Sequence, residues 1–254
     1  TQIENIPIPL PPLPEQRRIV ELLDRCFAVI DKAKANAEKN LKNVRELFES
    51  ELQAVFEEKG EGWEIKKLGE VCKVIAGQSP EGKYYNSEGN GIPFYQGKKD
   101  YGEKYIKTPT TWTSKTTKEA EAGDVLMSVR APVGPVNFAT QKICIGRGLA
   151  AIRAGYSIDK DFLFNFLLKH ENEIEGNTGA VFNSINKTQI ENIPIPVPPL
   201  PEQQTIVCQL DALRSQTQKL EKVYHKKIAA LEELKKSILQ KAFTGKLTNK
   251  EAKI

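Results

Sequence analysis

Loops in the middle of the chain carry the residue types that grip nucleic acid. Gly77-Gln78-Ser79-Pro80 is followed by Lys83-Tyr84-Tyr85 and by Gly91-Ile92-Pro93-Phe94-Tyr95-Gln96-Gly97-Lys98-Lys99. Amides, hydroxyls, rings and ammonium groups interleave there. Such groups bond to phosphates and base edges, glutamine matching adenine and lysine or arginine matching guanine. The candidate contacts are Gln78, Ser79, Lys83 and Tyr84, then Tyr95, Gln96, Lys98 and Lys99, then Lys104, Lys107, Thr113 and Lys115, with Arg130 and Arg147 beyond. Arg147 stands between Gly146 and Gly148, a setting that suits close approach to a phosphate or the bracing of a turn, and bracing is the expectation. By composition alone the same loops also suit an ordinary polar surface.

Motifs for catalysis are missing. Adenine methyl transfer takes an Asn- or Asp-Pro-Pro-aromatic loop and a glycine-rich cofactor turn, and Gly146-Arg147-Gly148 lacks the third glycine at the required distance. No glycine-rich loop ends in Gly-Lys-Ser/Thr, so ATP hydrolysis has no support. Glu64-Ile65-Lys66 and Glu233-Leu234-Lys235 have nuclease-like spacing without an upstream metal-binding Asp, and they read as solvated charges. His170 and His225 fall on expected helices with no nucleophile nearby. Cys26, Cys72, Cys144 and Cys208 are scattered, which argues against zinc or a disulfide framework and fits a reducing cytoplasm. A non-catalytic chain without metal or cofactor is expected.

The elements that position these loops announce themselves through a repeat. Residues 1–16, TQIENIPIPLPPLPEQ, recur as TQIENIPIPVPPLPEQ at 188–203, with one difference. The likeness continues as a pattern, Ile19-Val20 matching Ile206-Val207, Leu23-Asp24 matching Leu210-Asp211, and Phe56 matching Phe243. Steps of four and three select Ile206, Leu210, Leu213, Thr217, Leu220, Tyr224, Lys227, Leu231, Leu234 and Ile238 as one helical seam. The same register in the first copy selects Ile19, Leu23, Cys26, Ile30, Ala33, Ala37, Asn40, Val44, Leu47 and Glu51, with Asn40 and Lys227 as polar register-setters. Gly60 and Gly245 stand just past the expected helix ends. Two long helices pairing antiparallel are expected.

Between them, from 63 to about 196, short β-rich runs at 70–75, 124–129, 136–139, 143–145 and 149–152 are separated by Gly and Pro clusters. One helix candidate spans 158–173 with Phe162, Leu163, Phe166 and Leu167 on a face. The fold class is therefore α+β, a mixed-sheet domain flanked by two long α-helices forming an antiparallel coiled coil. With 254 residues and 39% hydrophobic content the chain can build a real core, and its net charge of +4 is modest. The positive excess sits centrally, with 14 Lys and Arg against 8 Asp and Glu between Lys66 and Arg153. No apolar run reaches the roughly 18 residues a membrane span requires, and no signal-peptide layout opens the chain.

Gly123-Asp124-Val125-Leu126-Met127-Ser128-Val129-Arg130-Ala131-Pro132-Val133-Gly134 and Cys144-Ile145-Gly146-Arg147-Gly148-Leu149-Ala150-Ala151 resemble the core of a target-recognition domain of type I restriction-modification specificity subunits. Gly179-Ala180-Val181-Phe182-Asn183-Ser184-Ile185-Asn186-Lys187, leading into Ile193-Pro194-Ile195-Pro196 and Pro199-Leu200-Pro201-Glu202-Gln203, is similar to the way that domain ends. The resemblance implies a DNA-recognition subunit that binds double-stranded DNA, a methyltransferase subunit carrying S-adenosylmethionine and an ATP-driven restriction subunit. A full subunit of the family has two recognition domains reading a split target, whereas this chain carries one, so it resembles a later half or a shortened form that pairs as a homodimer.

The boundaries so implied are 1–14 for the tail of a preceding recognition domain and a Pro-rich linker, 15–58 for the first long helix and 59–200 for the recognition domain. The second helix then takes 201–244 and a C-terminal tail takes 245–254. Residues 1–10 are expected to be poorly ordered or borrowed by a neighbour. The alternative function is a Pro-rich coiled-coil scaffold, since Pro196-Val197-Pro198-Pro199-Leu200-Pro201 can adopt the extended form that docks on aromatic grooves.

Overall fold

A computed structural model describes residues 10–58, 60, 62–176 and 184–247. The expectation for residues 1–10 lies, Leu10 apart, outside the described residues, as does most of the 179–187 run. Contacts divide the chain into two compact units, one holding the chain up to Phe48 together with that from Leu213, the other spanning Glu49–Ala212.

The helices are α1 (Leu13–Glu57), α2 (Leu68–Val71), α3 (Lys160–Gly176), α4 (Lys187–Glu191) and α5 (Leu200–Phe243), and the two long ones, α1 and α5, begin at equivalent positions of the repeat. Their starts share one geometry. The Pro12 carbonyl accepts from Glu15 and Gln16, as the Pro199 carbonyl does from Glu202 and Gln203. The Gln16 amide donates to the Pro11 carbonyl at 2.7 Å and the Gln203 amide to the Pro198 carbonyl at 2.8 Å. Helix α5 stops in a Schellman motif, Lys246 N–H bonding back to the Lys241 carbonyl and Gly245 N–H to that of Ala242. Gly245 has φ +69°, a conformation glycine adopts without penalty.

In the first unit α1 and α5 run antiparallel. Lys34 reaches Glu232 at 2.6 Å, Arg45 reaches Glu221 at 3.4 Å, and Lys235 reaches Asp31 at 2.7 Å while lying 4.9 Å over the Phe27 ring. Ile30, Ala37, Val44, Thr217 and Ala242 are buried in the seam. The expected stepping fails partway along. Asn40 and Lys227 are exposed, and Leu47, Leu220 and Leu234 are 43–48% exposed, while Leu41, Phe48 and Ile228 are more deeply covered. The steps from Ala33 to Ala37 to Leu41 are both four. A straight helix turns every 3.6 residues, so strict alternation of four and three drifts off the contact line, and an extra four-step restores it.

The second unit carries three sheets. The strands are β1 (Glu64–Lys67), β2 (Cys72–Ala76), β3 (Tyr85–Asn86), β4 (Ile92–Tyr95), β5 (Trp112–Thr113) and β6 (Glu119–Ala120), then β7 (Val125–Ser128), β8 (Val136–Phe138), β9 (Ile143–Ile145), β10 (Leu149–Ala154) and β11 (Pro194–Val197). One sheet runs β2-β10-β7-β8, all antiparallel. A second runs β3-β5-β4-β9-β6, with β4 and β9 parallel. The mixed-sheet expectation holds. Tyr95, Leu126, Ile143, Ile145, Leu149 and Ala151 form one continuous apolar cluster in this unit.

The third sheet pairs β1 with β11. Pro194 and Pro196 face Lys67 and Ile65 at alternate positions, so the N–H groups they lack belong to the free edge and the ladder loses nothing. On β1, Glu64 and Lys66 pair with each other at 2.7 Å.

Helix α3 (Lys160–Gly176) is capped by Asp159, whose carboxylate accepts from Asp161 and Phe162 N–H at 2.8 and 3.0 Å. Its Phe162 and Phe166 meet Phe56, from the end of α1, with ring centroids 5.2 and 5.6 Å apart. His170 stacks on Phe166. Gln203 is fully buried, accepting from Asp159 N–H at 2.7 Å and donating to the Ser157 carbonyl at 3.0 Å, so the start of α5 is tied to the start of α3.

Burial also sorts the thiols. Desolvation pushes the Cys72 thiol up to about 12, whereas Cys208 is exposed on α5. Since the thiolate is the reactive form, an aromatic disulfide reagent at pH 8 is expected to label Cys208 fast and leave Cys72 untouched until the fold opens. Mass mapping of modified peptides checks this, and early label on Cys72 would contradict it.

Candidate nucleic-acid interface

The loops singled out from sequence converge at one place, the turn Gly146-Arg147-Gly148 between β9 and β10. Gln78 N–H donates to the Ile145 carbonyl at 2.9 Å, Gly146 N–H to that of Tyr95 at 2.8 Å, and Val129 N–H to that of Gly148 at 3.0 Å. Ser79 Oγ accepts from Arg147 N–H at 3.3 Å. The segments bearing Gln78, Ser79, Gln96, Arg130 and Arg147 are thus brought together through main-chain contacts.

A second group adjoins the first along the same loop. Tyr84 has the Lys83 ammonium 5.1 Å and the Lys115 ammonium 5.3 Å from its ring centre. Ser114 N–H donates to the Tyr84 carbonyl at 3.1 Å, and the Tyr85 hydroxyl donates to the Pro80 carbonyl at 2.8 Å. Lys83 also pairs with Glu81 at 2.6 Å. Lys98 and Lys99 lie on a single exposed 3-10 turn that follows Gln96. Lys107 is exposed beyond that turn, its N–H bonded to the Asp100 carbonyl.

Three candidates are placed where they cannot reach a ligand. Tyr95 is 2% exposed and its hydroxyl donates to the Lys107 carbonyl at 2.8 Å. Burial, with the nearby Asp100 charge, pushes that hydroxyl up to about 12. Thr113 is 1% exposed and its hydroxyl donates to the Lys115 carbonyl at 2.7 Å, fixing the turn that carries Lys115. Lys104 sits between Asp161 at 3.0 Å and Asp211 at 3.4 Å, over the Phe138 and Phe164 rings, and joins α3 to α5. Tyr95 and Thr113 thus hold the loops from beneath, and Lys104 holds the two helices.

Arg147 departs from expectation in the other direction. The brace is supplied by the flanking glycines and by Ser79, while the guanidinium is exposed and has no hydrogen bond or ion pair among the described residues. Two residues that sequence reasoning passed over belong here as well. The Thr117 hydroxyl donates to the Gln78 carbonyl, and Lys118 is exposed beside it. The run Lys115-Thr116-Thr117-Lys118 repeats the mix of hydroxyl and ammonium groups that marked the other loops.

The resulting surface is open, cationic and rich in amides, and among the described residues no cluster of three or more His, Cys, Asp or Glu could hold a metal ion. No described helix is long and apolar enough to cross a membrane. Ammonium, amide and guanidinium donors set side by side suit the binding of phosphates and base edges.

A family model described as type I restriction modification DNA specificity domain matches residues 1–43 and 60–233. A candidate type I restriction enzyme specificity subunit of Methanocaldococcus jannaschii, MjaX, is 40% identical over 97% of this chain and 60% of its own length. The EcoDI type I restriction enzyme specificity subunit of Escherichia coli is 25% identical over 97% of this chain and 63% of its own. Among solved structures, one reported under complex assembly and conformational transition of the type I restriction-modification system superimposes with a TM-score of 0.88 at 43% identity, over 94% of this chain and 62% of that one. The HsdS subunit of Thermoanaerobacter tengcongensis gives 0.70 at 42% identity, over 94% and 61%. The chain spans about three fifths of the length of these relatives. This protein belongs to the type I restriction modification DNA specificity domain family.

Proposed function

We propose that this chain is a non-catalytic, sequence-reading subunit of a type I restriction-modification enzyme, binding double-stranded DNA through the loops around the 146–148 turn. The observation that carries the reading is the convergence of Gln78, Gln96 and Arg147, exposed and on fixed main chain, with the exposed Lys98, Lys99 and Lys115 nearby in a chain of this family. Phosphate contacts from the lysines set orientation, and amide and guanidinium groups read base edges in the major groove. Methyltransferase and restriction subunits supply the chemistry that the chain lacks. The mixed-sheet domain reads one half of a split target, and a second copy of the chain supplies a second reader. The reading carries a cytoplasmic location with it.

The test is duplex binding by the full chain with its methyltransferase subunit. Gln96→Ala is expected to cost about 1 to 3 kcal/mol on the preferred sequence and to relax preference at one base pair. Lys98→Ala is expected to weaken all sequences together and to lower the salt dependence by about one counterion. If neither change moved the affinity for preferred or random duplex, the loop assignment would fail.

A further inference from the structure

The main chain around Arg147 is held more tightly than a phosphate contact demands. A Cβ on Gly148 would stand 2.3 Å from the Gln96 carbonyl oxygen, and one on Gly146 would stand 3.1 Å from Gln96 Cα and 3.0 Å from Ser79 Oγ. On the other side, Gln78 is held at both its N–H, by Ile145, and its carbonyl, by Thr117. Three backbone positions are therefore locked against one another. Their side chains, amide, guanidinium and amide, are exposed and make no hydrogen bond or ion pair among the described residues.

Holding a phosphate tolerates a loose cation, and Lys83, Lys98, Lys99 and Lys115 already provide several. Reading a base does not tolerate looseness, because a planar fork must meet two acceptors at once. Arginine matches guanine O6 and N7 in that way, and glutamine matches adenine N6 and N7. Resting on the DNA-reading function above, we propose that Arg147 is a specificity-determining residue that donates two hydrogen bonds to a single guanine in the major groove. Gln78 and Gln96 read the base pairs beside it. Ser79 is a positioning residue: its Oγ accepts the Arg147 N–H and fixes the base of the arginine side chain.

The test starts from duplexes that the wild-type full chain, with its methyltransferase subunit, selects from a random pool. Each guanine of the selected site is then replaced in turn by 7-deazaguanine, which lacks the N7 acceptor. One position is expected to lose at least about fivefold in affinity for the wild type, and Arg147→Ala is expected to be insensitive to that replacement. Ser79→Ala is expected to reduce the discrimination between guanine and 7-deazaguanine at that position, while the discrimination at the other positions of the site is kept. A uniform loss across all duplexes on Arg147→Ala, with a shallower salt slope, would make it a phosphate contact and overturn the proposal, as would a selected site without guanine. A pool that yields no preferred sequence strikes the DNA-reading function itself, whereas a clear preference indifferent to Arg147→Ala strikes this assignment alone.

Discussion

Phe56→Ala is expected to cost about 3 to 4 kcal/mol of stability, and Phe243→Ala less than about 0.5. The two residues are counterparts in the repeat, yet their surroundings differ completely. Phe56 is 5% exposed, packed edge-on and tilted against Phe166 and Phe162 of α3, and its truncation leaves a ring-sized hole among aromatics that are themselves anchored. Phe243 is 66% exposed, at the edge of an apolar groove formed with Leu10, Ile19, Leu23 and Ala242. Urea unfolding of both variants measures the contrast directly. Equal losses would mean that Phe243 is as covered in solution as Phe56, and the description of that groove would be wrong.

Gly77→Ala is the second large effect, expected at about 3 kcal/mol together with loss of duplex discrimination. The cause is space rather than backbone conformation. A Cβ on Gly77 would stand 2.2 Å from the Gly146 carbonyl oxygen, 2.7 Å from that of Leu149 and 2.9 Å from that of Ile145. All three are backbone atoms, at the end of β9, the start of β10 and the turn between them, and cannot swing aside as a side-chain tip would. The relief available is for the 77–80 loop to lift off the 146–148 turn, which breaks the Gln78 and Ser79 contacts together. Gly82→Ala serves as the control, because a Cβ there meets nothing within 4 Å. Thermal melts and duplex binding on both variants separate the outcomes, and a Gly77→Ala protein with wild-type melting and binding would refute the argument.

Much of this arrangement was written in local pattern. The repeat marked two copies of one element and the stepping of apolar residues after each copy marked it as a long helix, while the apolar runs around 125–128 and 143–152 identified the central strands because each is buried on both faces. What escaped were features that depend on distant neighbours. Strands β3, β5 and β6 are two residues long and show no periodicity of their own. Strand β11 carries two prolines that only an unpaired edge tolerates. Tyr95 and Thr113 belong to polar loop sequences by composition, and only the pairing of β4 with β9 and of β5 with its neighbours shows that both are interior. Lys104 looked like one more loop cation because the carboxylates that claim it, Asp161 and Asp211, lie far along the chain. Arg147 erred the opposite way, since its glycine neighbours suggested a structural duty that the backbone discharges by itself.

That last point reaches beyond one residue. The 146–148 turn is fastened almost entirely by amide and carbonyl groups, with Ser79 and Thr117 as the side-chain exceptions, so its shape does not depend on which side chains stand at 78, 96 and 147. Those positions behave as sockets, and replacing their occupants should cost little stability, within about 0.5 kcal/mol as for other exposed sites. A scaffold built this way separates the vocabulary of recognition from the grammar of folding: new preferences can be tried by exchanging three exposed side chains, without reopening the question of whether the chain folds.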